Sequence, residues 1–271
     1  MLRQPAVAGA FYPGDKVRLA SMIDAMLISA EPVHDAVAAV APHAGYIYSG
    51  AAAGALFASI DIPLTVVILG PNHRGVGAPY GIFDLGAWHT PLGDAAIDEP
   101  MAAAILKQAG FLRSDTTSHV HEHSIEVQVP FLQYVRPDVK IVPICIGEHN
   151  YSRLVELGMA LVAAAREVGR EVFILASSDM THYESSQEAG RKDRMAIERM
   201  LALDEEGLWR TVISHRISMC GVAPAVAAIA AAREMGATDA RLVKYTDSGD
   251  VTGDKSAVVG YASVAFVKEP Q

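Results

Sequence analysis

Short apolar runs rich in β-branched residues punctuate the chain, and each gives way to loop chemistry: Val37–Ala41, Thr65–Leu69, Val139–Ile146, Glu171–Ala176, Arg241–Tyr245 and Ala257–Val267. Continuous apolar runs of this length predict strands buried on both faces rather than half-exposed ones. Between them a 3.6-residue periodicity predicts helices over Gly50–Ile60, Asp98–Gly110, Tyr151–Gly169, Ser186–Leu203 and Val222–Gly236, with an amphipathic segment at Ile125–Val135. The second of these has an Asp cap, Pro100 in its first turn and a glycine stop. Strands alternating with helices predict an α/β fold whose largely parallel or mixed central sheet is covered by helices on both faces. With no internal repeat and no break in composition, residues 1–271 are expected to form a single domain. Gly50 and Gly54 have the spacing of helix packing, and Trp88–Gly93 reads as an ordered loop.

Composition narrows the function classes. The chain has 271 residues, 51% hydrophobic and 20% charged, enough for a sizeable core. A net charge of −9 without clustered Lys/Arg argues against a nucleic-acid surface. Met1-Leu2-Arg3-Gln4-Pro5 is not a signal peptide, and Val222–Ala232 is too short for a membrane span and ends in Arg233-Glu234. Cys145 and Cys220 make no disulfide framework, so the expectation is a cytoplasmic protein with free thiols. No G-x-G-x-x-G follows the first strand and no P-loop occurs, which argues against dinucleotide and nucleotide binding.

The chemistry gathers where strands end. Pro42-His43 follows the first run, Gly70-Pro71-Asn72-His73 the second, and Ser177-Ser178-Asp179-Met180-Thr181-His182 the fourth. Parallel strands would deliver all of these to the carboxyl edge of the sheet, where open α/β sheets bind ligands. Two imidazoles with one anionic donor make the smallest open metal site. The anion is Asp179, Glu126 or the thiolate of Cys220, which stands just ahead of a helix whose N-terminus favours the ionised thiol. Cys145 reads as a core hydrophobe. His182, three residues after Asp179, suits a base held by a carboxylate. In His119-Val120-His121-Glu122-His123, His119 and His121 read as a solvated loop, whereas His123 and Glu126 are placed to orient ligands. Tyr46 and Tyr48 are candidates for the pocket wall.

Taken together the segments Pro5–Pro13, APHAGYIYSG, ILGPNH, TPLGD, EHSIEVQVPFL, SSDMTHY and Met219-Cys220-Gly221 resemble the MEMO family, the B component of the AmmeMemoRadiSam set, over nearly the whole chain. The resemblance implies a fold similar to class III extradiol dioxygenases, which are non-haem iron enzymes. It implies metal ligands at His43, His73 and Cys220, with Asp179 and His182 in the same pocket and His182 in the place of an acid/base. The dioxygenases use a glutamate where Cys220 stands; exchanging hard oxygen for soft sulfur turns preference from iron, the first expectation, toward copper or zinc. Two functions remain open at this level: a metal-dependent oxidoreductase acting on a small molecule, and a non-catalytic binding subunit working with radical-SAM and AMMECR-type partners. Phosphotyrosine binding, linked to animal members, lacks an Arg cluster here. The Ala-rich helices permit a homo-oligomer.

Overall fold

A computed structural model describes residues 1–27 and 31–268. In chain order its elements are β1 (Leu2–Arg3), α1 (Lys16–Met26), β2 (Ala36–Ala41), α2 (Tyr46–Ser59), β3 (Thr65–Pro71), β4 (Tyr80–Ile82), β5 (Ala87–Thr90), β6 (Gly93–Ile97), α3 (Glu99–Gln108) and β7 (Arg113–Ser114). There follow a 3-10 turn (Glu126–Gln128), α4 (Val129–Val135), β8 (Lys140–Ile146), α5 (Tyr151–Val168), β9 (Val172–Ser177) and β10 (His182–Glu184). The last part holds α6 (Ser186–Leu201), α7 (Glu205–Ser214), α8 (Val222–Glu234), β11 (Asp239–Asp247), α9 (Gly249–Thr252) and β12 (Val258–Val267).

One mixed sheet runs through the described residues in the order β1-β5-β6-β8-β3-β9-β2-β12-β10, with β11 beside β12 and β4 beside β8. Its centre, β6-β8-β3-β9-β2, is wholly parallel. Beyond that, β12 returns antiparallel to β2. Within the parallel centre β3 and β9 are buried from end to end, and β8 and β2 are buried after their first residue, as their apolar sequences require. Helices α5 and α8 pack on each other, and α8 lies on β9, β2 and β3; α2 lies on β12 and β11, with α1 and α4 beside it. The α/β architecture expected from the alternation is therefore present, and the sheet is flanked by helices.

Local packing explains several details. Gly50 and Gly54 face α1 so closely that a Cβ on Gly54 would collide with the Met26 carbonyl, which confirms their role in helix packing. Helix α2 begins four residues earlier than its Ala-rich run suggested, at Tyr46, because Tyr46 is itself core. The Trp88–Gly93 segment is not a loop: β5 and β6 form an antiparallel hairpin that turns at Thr90–Gly93, with the Thr90 hydroxyl donating to Gln133 Oε1 and the Gln133 amide to the Gly93 carbonyl. Its alanine-rich second strand has weak intrinsic β propensity, and pairing with β8 supplies the order. No helix among the described residues is long and apolar enough to cross a membrane.

Candidate metal centre

Because β2, β3 and β9 are parallel, their carboxyl ends meet at one edge, with Ala41 level with Ser177 and Leu69 with Ala176. Short side chains tie these ends together. Gln128 donates to both the Pro42 carbonyl and Ser177 Oγ (2.8 Å each), and Ser124 Oγ donates to the Pro71 carbonyl at 3.0 Å. His43 leaves β2 and is almost fully buried, whereas His73 leaves β3 and is part-exposed. His123, reaching in from the loop before the 3-10 turn, joins them: one ring nitrogen from each of these three histidines lies within 4.8 Å of the others. Ring centroids are 5.2 Å apart for His43 and His73, 5.5 Å for His43 and His123, and 4.8 Å for the stacked His73 and His123.

Hydrogen-bond accounting assigns the tautomers. Ser177 Oγ donates its single proton to the Ser124 carbonyl at 2.6 Å, so it accepts from His43 Nδ1 at 2.9 Å. His43 therefore carries its proton on Nδ1 and presents a bare Nε2. His73 Nδ1 lies 2.9 Å from Glu122 Oε1, and an ionised carboxylate only accepts, so Nδ1 carries a proton and Nε2 is the nitrogen left for a metal. His123 Nδ1 is 3.3 Å from the same oxygen. Burial, reinforced by the neighbouring rings of His123 and His73, holds His43 well below the ordinary imidazole value and keeps it neutral. Burial likewise lowers His123. Neutral imidazoles with one nitrogen pinned by a partner are the form a metal ion binds.

Glu122 organises this arrangement. Burial alone would raise its carboxyl, but bonding to His73 and the backbone N–H of Ser124 outweighs burial and holds it down at about 2. It also accepts from the backbone N–H groups of His73 and His123, at 2.7 and 2.9 Å. Because the folded value is depressed, Glu122 contributes stability that is present above about pH 4.5 and is lost as the pH falls toward 2. In Glu122→Gln, urea melts of metal-free protein should lose that part of the pH dependence, and metal affinity should fall roughly 10–100-fold. An unchanged affinity would remove Glu122 from the site.

Cys220 and Asp179 contact His43, and His182 is held by Ser218. Cys220 Sγ lies 3.2 Å from His43 Nε2 and accepts from the Asp179 N–H at 3.3 Å. Gly221 permits that approach, since a Cβ there would collide with the Ser177 carbonyl. Burial, with the nearby Asp179, pushes the Cys220 thiol up in the metal-free protein. Asp179 is buried, and its Oδ1 accepts from the N–H groups of His43 (2.7 Å) and Ala44 (3.3 Å). Burial pushes its carboxyl above the usual range. His182 is held by Ser218, whose Oγ accepts from its N–H at 2.8 Å and whose carbonyl lies 3.0 Å from Nδ1. A carbonyl can only accept, so Nδ1 bears the proton and Nε2 is free.

Other expectations are corrected. Glu126, weighed as an anionic ligand, spends its carboxylate on the N-terminal arm, accepting from Arg3, Ala6, Val7 and Tyr12. His119 is not a solvated loop residue: it is fully buried, with Nε2 3.1 Å from the Gly81 carbonyl and edge-on packing to Phe83 and Trp88. His121 is exposed as expected. Tyr46 is core, donating to the Val127 carbonyl at 2.7 Å. Cys145 is buried in β8 as expected. The sequence reading missed Glu122, Ser177 and Gln128. A carboxylate between two histidines in His121-Glu122-His123 was the available signal for the first.

Comparison with known proteins identifies the family. The model of the Memo-like protein family matches residues 3–265. A MEMO1 family protein of Methanopyrus kandleri is 45% identical, over 98% of this chain and 99% of its own. A second, from Methanothermobacter thermautotrophicus, is 40% identical over 98% and 100%, and one from Aquifex aeolicus is 42% identical over 98% and 99%. An uncharacterized protein of Escherichia coli K12, JW3007, shares the fold with a TM-score of 0.51 at 14% identity, over 83% of this chain and 98% of that one. A family match across nearly all of the chain, with relatives of full length at this identity, leaves one conclusion: the chain belongs to the Memo-like protein family.

Proposed function

We propose that this protein holds a mononuclear transition-metal ion at His43, His73 and His123, with Cys220 as a sulfur donor beside them, and uses it for oxidoreductase chemistry on a small molecule. The observation that carries the reading is the convergence of three imidazoles, of which His43 and His73 have Nδ1 engaged by Ser177 and Glu122. His43, His73 and Cys220 are the set that the family resemblance implies, and His123 adds a third nitrogen. The donors fit such a group: imidazole nitrogen with one thiol suits iron(II), copper or zinc. A cation there would also displace the Cys220 proton that burial otherwise retains.

A redox-active ion supplies Lewis acidity and electron transfer for substrate and dioxygen. The chain's own groups do the rest. His182 Nε2, free while Nδ1 is held by Ser218, accepts or returns a substrate proton. Asp179 fixes the His43–Ala44 backbone and so the approach of His43. The Nε2 atoms of His43 and His73 stay aimed because Ser177 and Glu122 hold their rings.

Oxygen uptake by the protein loaded in turn with iron(II) and copper, against a panel of catechols and other dihydroxy-aromatics, is the experiment. Uptake that requires both metal and substrate supports the reading. Flat traces with both metals contradict it and point to a non-catalytic subunit, with radical-SAM and AMMECR-type proteins as the partners to test.

A further inference from the structure

Residues that adjoin the histidine cluster in sequence line a cavity of about 570 Å³, the size of a small-molecule site. One wall is the loop after β3, through Arg74 and Val76; the other is the loop that leads to His123, through Thr117, Val120 and His121; Ala6 of the N-terminal arm closes a side. The two walls continue directly into the cluster, since Arg74 follows His73 and His121 precedes Glu122-His123. They are tied to each other by Arg74 Nε, which donates to the His121 carbonyl at 3.3 Å.

What lines the cavity is chemically specific. Val76 and Val120 are about half exposed, which leaves apolar surface facing the space. Arg74, like Arg113, Arg194 and Arg216, has no carboxylate within ion-pair distance among the described residues, whereas Arg3, Arg136, Arg170 and Arg233 each have one. Only Nε of its guanidinium is engaged, so the terminal amino groups remain available as donors. The Thr117 hydroxyl and the His121 ring make no hydrogen bond among the described residues either. An unpaired guanidinium fork beside apolar side chains matches a planar carboxylate carried on an apolar body.

We propose that this cavity anchors the substrate of the metal centre, and that the substrate is a small organic carboxylic acid whose carboxylate pairs with Arg74 and whose apolar part lies against Val76, Val120 and Ala6. One guanidinium neutralises one negative charge, which favours a carboxylate over a phosphate dianion. The word substrate rests on the metal-centre reading, whereas carboxylate binding by the cavity does not. Arg74 is thus a specificity residue for a reaction carried out next to it.

The test is titration calorimetry at low salt with benzoate, phenylacetate, benzyl alcohol and phenyl phosphate, on metal-loaded and chelator-treated protein. The carboxylates should bind saturably and about tenfold or more tighter than the alcohol. Arg74→Met should abolish that preference, and Arg74→Lys should keep only part of it, because lysine lacks the planar fork. Arg74 is exposed, so a thermal melt of each variant should match the parent and exclude misfolding as the cause. Binding should persist after chelation. Carboxylates that bind no better than benzyl alcohol, a preference that survives Arg74→Met, or tighter Arg74-dependent binding of phenyl phosphate would each overturn the proposal. Binding that vanishes on chelation but survives Arg74→Met would place the carboxylate on the metal and overturn it as well. Metal content is measured separately, so failure of the metal centre and failure of the cavity are distinguishable.

Discussion

Replacing His43 by alanine is expected to cut metal affinity by about two orders of magnitude while leaving the protein folded. His43 is the hub of the cluster: it faces both His73 and His123, and its Nε2 alone lies beside Cys220 Sγ. A protein metal site worth roughly 10–16 kcal/mol over four donors loses on the order of 3 kcal/mol with one of them, about a hundredfold. The surrounding bonds do not depend on the ring, since Ser177 still binds Ser124 and Gln128, and Asp179 still accepts backbone N–H groups. Metal analysis of protein purified without chelators, beside a thermal melt, reads both halves of the prediction. Cys220→Ser should lower copper and zinc binding more than iron binding, because it trades a soft donor for a hard one. His182→Ala, which removes only the proposed proton carrier, should leave occupancy intact. A His43→Ala protein with wild-type metal content would mean the ion, if any, sits elsewhere.

Glu126→Ala should be the most destabilising single change near the site, costing about 3–5 kcal/mol. Arg3 and Glu126 form a buried pair at 2.8 Å, with both side chains almost fully enclosed. Removing the carboxylate strands a guanidinium inside the protein and orphans the Ala6 and Val7 N–H groups and the Tyr12 hydroxyl. The same guanidinium holds the carbonyls of His119 and Glu122, at 2.8 Å each, so the loop carrying His123 should loosen and metal affinity should fall too. Urea unfolding measures the loss, and the corresponding drop in Tm is on the order of 10 °C. The double change Arg3→Met with Glu126→Leu should cost less than Glu126→Ala alone, since it buries no unpaired charge. Equal or greater loss in the double variant would show that packing, and not charge, holds the arm.

The residues that were legible in the sequence share a physical reason. His43, His73 and Asp179 follow buried strands, and parallel strands must bring their ends to one edge, so the pattern alone placed them together. The fold was legible for the same cause, because buried parallel strands cannot alternate in polarity. What escaped depended on tertiary context. Glu122 escaped because only the fold surrounds it with His73 and backbone N–H groups. His119 looks like its loop neighbours until the Gly81 carbonyl and Trp88 close over it. The burial of Cys220 and its approach to Asp179 were not legible either, because helix position is a local cue and these are tertiary. The β5–β6 hairpin was hidden by alanines whose strand character comes from their neighbour β8.

Crystals grown from protein loaded with one metal, with diffraction recorded on both sides of that metal's absorption edge, test the central claim most directly. The account predicts a single anomalous-difference peak bounded by His43, His73 and His123, beside Cys220 Sγ. No peak there at full metal loading, or a peak at another place in the molecule, would contradict it.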